Sequence, residues 1–134
     1  MHIGIDLVDV SSFAQQMEFP GSTFGSVFTD REIRTCNTKP NRAASLAGRW
    51  AVKEAYIKAW SQTIIGQPPL ITPDELNFAE IEVVNDAFGR PVVQLHGEVA
   101  RLGPHVQSVS LSHDGDYAIA TAVSYTHLRA HETL

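Results

Sequence analysis

Apolar positions alternate with small or polar ones from His2 to Val10, which predicts a strand. Ile3, Ile5 and Leu7 share one face, and Gly4, Asp6 and Val8 the other. A short helix is expected next, capped at Ser11 or Ser12 and stopped near Pro20-Gly21. Thr29-Asp30-Arg31-Glu32 has capping-box spacing, so a second short helix begins there and breaks at Lys39-Pro40-Asn41. The longest helical segment runs from Asn41 to Ser61, rich in Ala, Leu, Lys, Arg and Glu and free of internal proline. Beyond a loop at Gly66-Gln67-Pro68-Pro69, Thr72-Pro73-Asp74-Glu75 reads as a brief capped turn. Ala79 to Asn85 and Pro91 to His96 predict a hairpin around Asp86-Ala87-Phe88-Gly89, followed by a short helix over Gly97 to Leu102. Val106 to Ser112 and Tyr117 to Val123 predict another hairpin around Asp114-Gly115. Together these elements describe an α+β fold, a small antiparallel sheet packed with one long and several short helices.

The long helix divides into three faces at about 100° per residue. Leu46, Trp50, Ile57 and Trp60 make a bulky apolar stripe, the two tryptophans being expected in the core. Ala47, Gly48, Ala51, Ala55 and Ala59 make a strip of small residues that permits close approach of another element or a ligand. Glu54 and Lys58 lie beside that strip, one turn apart. Their spacing alone is that of any surface i,i+4 pair, worth a few tenths of a kcal/mol. Lys53 points to the edge of the apolar stripe, where a lysine must snorkel or meet an anion.

Composition narrows the class. With 134 residues and 43% hydrophobic content the chain suits one domain with a real core. No apolar run is long enough for a bilayer, and no signal-peptide pattern opens the chain, so a cytoplasmic protein is expected. The single cysteine, Cys36, excludes an intramolecular disulfide and a Cys-rich zinc site. A net charge of −5 argues against a general nucleic-acid binder. The charge is uneven, however. Residues 31–60 hold seven Lys and Arg against Glu32 and Glu54, a local +5 within an acidic protein. Either a solvated helix face or a site for an anionic ligand would produce it.

Asp6 stands in the middle of an apolar strand, where an unpaired carboxylate is costly. It can be exposed on an edge strand, paired with a lysine, or ligate a metal; carboxylate oxygens suit magnesium, which keeps waters and borrows phosphate oxygens.

Several segments together resemble the holo-[acyl-carrier-protein] synthase family of 4′-phosphopantetheinyl transferases. They are Gly4-Ile5-Asp6, Phe28-Thr29-Asp30-Arg31-Glu32 and Trp50-Ala51-Val52-Lys53-Glu54-Ala55-Tyr56-Ile57-Lys58-Ala59, with Glu82 to Asp86, Gly89-Arg90-Pro91 and Ser112 to Ala118. The resemblance covers residues 2 to about 123 and implies the family's fold and homotrimeric assembly, with each active site between protomers. It also implies a reaction in fatty acid biosynthesis: the phosphopantetheine arm of coenzyme A moves to a serine of an apo acyl carrier protein, releasing adenosine 3′,5′-bisphosphate. By similarity, Asp6 and Glu54 bind Mg²⁺, Lys58 contacts the pyrophosphate, and Lys53 supports the same charge. Arg49 and His113 meet the adenosine 3′-phosphate, although His113 is equally explained by a structural hydrogen bond at a turn. Glu32 matches the family motif, yet its capping-box position explains it fully. A noncatalytic carrier- or nucleotide-binding module of the same fold is the competing reading.

Two segments depart from the family. Ser61-Gln62-Thr63-Ile64 replaces a Gly-Thr-Gly-Ile stretch, with hydroxyls as the expected substitutes for backbone phosphate donors. Ser11 to Phe19 lacks the arginines often found on the first helix, leaving Arg31, Arg34 or Arg42 for carrier docking. From Val123 onward the chain resembles the translation of a sequencing-library adapter. Residues 1–123 are therefore read as one transferase domain and 124–134 as a non-native tail, and the i,i+4 pair His127 and His131 is not taken as a metal site.

Overall fold

The computed structural model describes residues 1–126. Its elements run β1 (His2–Asp9), α1 (Val10–Glu18), α2 (Asp30–Asn37), α3 (Arg42–Thr63), β2 (Ile81–Asn85), β3 (Pro91–Leu95), α4 (Gly97–Leu102), β4 (His105–Asp114) and β5 (Tyr117–Tyr125). Two 3₁₀ turns, Phe24–Val27 and Phe78–Glu80, complete the elements among the described residues. The predicted α+β architecture forms as a three-stranded antiparallel sheet in the order β1-β5-β4 and a separate β2-β3 hairpin.

The face of β1 that carries the smaller and polar residues is the one turned inward. Its register with β5 aligns Gly4 with Ala122, Asp6 with Ala120 and Val8 with Ala118, and β4 adds Val109, Leu111 and His113 to the same rows. The small strip of α3 lies against this surface, with Ala47, Ala51, Ala55 and Ala59 fully buried. Gly4 makes the approach possible, because a Cβ there would collide with the Ala55 carbonyl and the Ala59 amide. The strip thus seats the chain's own sheet rather than a ligand. Ile3, Ile5 and Leu7 consequently face outward at 62%, 54% and 61% exposure, beside Tyr117 and Ile119 of β5.

The other side of α3 packs on the aromatic residues before and after it. Trp50 meets Phe24 and Phe78 edge-on at 5.0 and 4.7 Å between centroids, and Phe24 continues to Phe13 at 5.6 Å. Trp60 is buried, and the Tyr56 hydroxyl donates to the Pro104 carbonyl at 2.7 Å. Burial raises the Tyr56 phenol above its usual range.

Helix ends correct the reading in detail. The cap of α1 is Asp9, whose carboxylate accepts from the Ser12 amide at 3.0 Å, so Ser11 and Ser12 lie inside the helix. The capping box at Thr29 and Glu32 is complete, with 3.1 and 3.0 Å bonds in the two directions. Strand β2 starts at Ile81, not Ala79, because the 3₁₀ turn occupies the preceding residues. Strand β5 runs through Tyr125, and Ser124 pairs with both His2 and Val106, so regular structure continues two residues into the segment set apart as a tail. His127 and His131 lie outside the described residues.

Candidate active site

Asp6 projects from the inward face of β1 toward α3, where Lys58 reaches it with a 3.0 Å Nζ–Oδ1 contact. Asp6 is largely enclosed and Lys58 about half exposed, so the pair sits at the rim of the helix–sheet seam. Glu54, one turn before Lys58, is half-buried and lines a groove of about 400 Å³ with Asp6 and Ser12. Phe13, Phe24 and Trp50 form its apolar wall.

Burial pushes the Glu54 carboxyl above the usual glutamate range; the neighbouring Asp6 carboxylate adds to the shift, and Lys58 opposes it. Two carboxylates and one ammonium leave this corner an excess negative charge. That is a corner suited to a divalent cation. Carboxylate oxygens are the hard donors that magnesium prefers, and its remaining positions ordinarily go to water and phosphate oxygens. Among the described residues there is no cluster of three or more His, Cys, Asp or Glu able to hold a metal.

The other residues expected at the site sit elsewhere. Lys53 is fully enclosed, and its ammonium donates to Glu32 Oε1 at 2.8 Å and to the Ile81 and Phe78 carbonyls at 2.6 and 3.1 Å. Its expected role beside the phosphates is therefore corrected: the ammonium holds α2, α3 and β2 together. Burial pulls its pKa below the usual lysine range, against the pull of Glu32. Glu32 completes the cluster by accepting from the Val83 amide at 3.0 Å.

Arg49 is 5% exposed and donates to Asn85 Oδ1 at 2.6 Å and Ser45 Oγ at 3.0 Å, while its Nε is buried without a partner. His113 lies over Gly48, where a Cβ would come within 3.0 Å of the ring. Its Nε2 is 2.8 Å from the Ala44 carbonyl. A carbonyl only accepts, so Nε2 carries the proton. Arg49 and Lys58 are separated by about 13 Å along the helix axis. One chain therefore brings Asp6, Glu54 and Lys58 together and leaves Arg49 and His113 at the other end of α3.

The hydroxyls expected to replace a glycine-rich phosphate cradle are turned onto the helix. Ser61 Oγ donates to the Ile57 carbonyl at 3.1 Å and Thr63 Oγ1 to the Trp60 carbonyl at 2.7 Å. Arg31, a candidate for carrier docking, is instead joined to Glu82 through Nη2–Oε1 and Nε–Oε2 contacts of 2.6 and 3.1 Å. Sequence reasoning missed Glu82 as a hub; Thr29 and His96 also reach it, at 2.6 and 3.0 Å. Its only local signal was a carboxylate in an otherwise apolar strand.

The fold and this carboxylate–lysine corner define a class. The family model for the 4′-phosphopantetheinyl transferase superfamily matches residues 2–122, and the chain belongs to that superfamily. Within it, the holo-[acyl-carrier-protein] synthase of Corynebacterium glutamicum is 48% identical over 128 residues, 90% of this chain and 95% of the relative. That of Mycobacterium marinum is 46% identical over 126 residues, 92% and 95% of the two chains. Among solved structures, the Chronobacterium ammoniagenes ACPS–CoA complex is similar with a TM-score of 0.88 and 50% identity, covering 95% of this chain and 98% of that one. The Helicobacter pylori holo-[acyl-carrier-protein] synthase in complex with coenzyme A gives a TM-score of 0.68 at 29% identity, covering 91% and 98%.

Proposed function

We propose that this chain transfers the 4′-phosphopantetheine moiety of coenzyme A to a serine of an apo acyl carrier protein, serving fatty acid biosynthesis in the cytoplasm. The observation that carries this reading is the placement of Asp6 and Glu54 along one groove with Lys58 paired to Asp6, in a chain whose relatives are holo-[acyl-carrier-protein] synthases. No helix of the described residues is long and apolar enough to cross a membrane.

In the reaction, the serine oxygen attacks the phosphorus that bears the pantetheine arm. The bridging P–O bond to the nucleotide phosphate breaks, adenosine 3′,5′-bisphosphate leaves, and the serine loses its proton. Such transfers depend mainly on positioning and on neutralising charge at the phosphoryl oxygens. Asp6 and Glu54 would hold Mg²⁺, which when bound supplies Lewis-acid neutralisation of that charge. Lys58 offers its half-exposed ammonium to the pyrophosphate, and its contact with Asp6 keeps it beside that carboxylate. The aromatic wall of Phe13, Phe24 and Trp50 narrows the space open to water beside the reacting atoms.

Arg49 and His113 are assigned to the 3′-phosphate of coenzyme A. Their distance from Lys58 along α3 supports an active site shared between protomers of a homotrimer, one supplying the carboxylate corner and its neighbour the Arg49 end. The outward Ile3, Ile5, Leu7, Tyr117 and Ile119 supply an apolar sheet face for that assembly.

Chromatographic detection of adenosine 3′,5′-bisphosphate tests the reading. Its release from coenzyme A should require both Mg²⁺ and an apo carrier. Coenzyme A binding without release, with the cognate carrier present, would identify a noncatalytic module instead.

A further inference from the structure

Most cations of the described residues are already engaged. Arg31, Lys53, Lys58, Arg90 and Arg101 each meet a carboxylate. Arg49 is buried against Ser45 and Asn85. Arg34, Lys39 and Arg42 differ: all three are exposed, and among the described residues none meets a carboxylate. They share one place, the corner where α2 ends and α3 begins. No Asp or Glu occurs from Ile33 to Lys53, so the corner is positive in a chain of net charge −5.

Local hydrogen bonds hold these cations on a fixed backbone. Arg34 lies in the last turn of α2. The Thr38 and Lys39 amides donate to the Thr35 and Cys36 carbonyls, each at 3.1 Å, which ties down the connection. Asn41 then caps α3, accepting from the Ala44 amide at 3.0 Å. Arg42, the first residue of α3, donates from Nε to Asn37 Oδ1 at 2.6 Å, across the corner. A cation at a helix N-terminus opposes the helix dipole, and the first turn of α3 carries no acidic residue to offset it. Helix stability therefore does not account for Arg42, whereas recognition of an anionic surface does.

We infer that the α2–α3 corner docks the carrier protein through carboxylates on the carrier surface, an inference that rests on the transferase reading above. Helix α1 offers no cation for that purpose, and Arg31 is already held by Glu82. Arg34, Lys39 and Arg42 have no internal ion pair to give up, so a carboxylate meets their charge in full. Position also favours the corner. Arg42 lies about 10 Å along the α3 axis from Arg49, and about 18 Å from Glu54 of its own chain. A carrier seated there is beside the end of α3 assigned to the shared site, and its serine is offered to the carboxylates of the neighbouring protomer.

Transfer kinetics of the full chain at graded salt, with carrier and coenzyme A binding each measured by calorimetry, test the assignment. Combining Arg34→Gln, Lys39→Gln and Arg42→Gln should raise the KM for the apo carrier roughly tenfold or more, and leave kcat and coenzyme A affinity within about twofold. Added NaCl should raise the carrier KM of the unsubstituted chain steeply and that of the triple variant little. Arg34→Lys with Arg42→Lys, which keeps the charge, should restore most of the carrier affinity. An unchanged carrier KM in the triple variant would overturn the inference, as would the same salt dependence in both proteins. Loss of coenzyme A affinity would also overturn it, by making the corner part of the nucleotide site. Salt-sensitive carrier binding by an unsubstituted chain that transfers nothing would instead overturn the transferase reading and leave the docking surface standing.

Discussion

Lys58 on α3 and Asp6 on β1 are 52 residues apart in sequence and 3.0 Å apart at Nζ and Oδ1. The contact joins the chain's long helix to its first strand at the point where Glu54 also lies. Because Lys58 is half exposed, the pair adds little to stability, about 0–1 kcal/mol. Its importance is the position it gives two charged groups. Lys58→Met should lower kcat/KM by about 10²–10³-fold, as the loss of one charge-stabilising donor does. Urea unfolding should shift by less than about 1 kcal/mol. A large loss of stability with unchanged turnover of the folded fraction would reverse the assignment.

Lys53 predicts the opposite pattern. Lys53→Met leaves Glu32 enclosed without its cation and the Ile81 and Phe78 carbonyls without their shared donor. The expected cost is about 3–5 kcal/mol, as for other broken buried pairs. Coenzyme A affinity measured on the folded protein should be unchanged. A selective loss of affinity at normal stability would place Lys53 back at the phosphates.

The difference between these two lysines marks how much of the site is legible in the sequence. Both stand on one helix within five residues, and both belong to the same motif. A carboxylate in an apolar strand gave Asp6 a need for water, a metal or a lysine, and the structure supplies Lys58. Lys53 finds its carboxylate on α2, 21 residues away, and its carbonyls in the turn and strand after α3. Helix periodicity carries no information about what packs against a face. The same limit applies to β1, whose alternation was legible but whose inward face was not. Tertiary packing favoured Gly4, Asp6 and Val8 there, because the alanine strip of α3 must come close, and it left three large aliphatic residues outside. Local signals fared better, as the complete capping box at Thr29 and the short helix α4 illustrate.

Glu82 gives a pH signature. The Arg31 guanidinium, with hydrogen bonds from Thr29 and His96, holds its carboxyl at about 2, against an ordinary value of 4.5. Between these values the unfolded chain binds the proton more readily than the folded one, so stability rises with pH. The contribution is complete above about pH 4.5 and is lost as pH falls toward 2. Urea midpoints measured from pH 6 to 3 should fall more steeply for the unsubstituted protein than for Glu82→Gln. Parallel slopes would show that Glu82 is not held in its ionised form.

The outward face of β1 bears on assembly. Ile5→Glu places a charge at the centre of an apolar row that is more than half exposed in one chain. Sedimentation should show trimers for the unsubstituted protein and monomers for the variant, with transfer activity lost in step, as the proposal of a site shared between protomers requires. An unchanged trimer would move the interface to another surface.

Intact-mass analysis of an apo carrier, after incubation with coenzyme A and Mg²⁺, tests the central claim most directly. The unsubstituted chain should add about 340 Da to the carrier, the mass of one phosphopantetheine transferred by phosphoryl chemistry. Glu54→Gln should fold normally, add that mass far more slowly, and need more Mg²⁺ to do so. No mass gain on the cognate carrier, or a Glu54→Gln variant indistinguishable from the unsubstituted chain across the Mg²⁺ titration, would contradict the account.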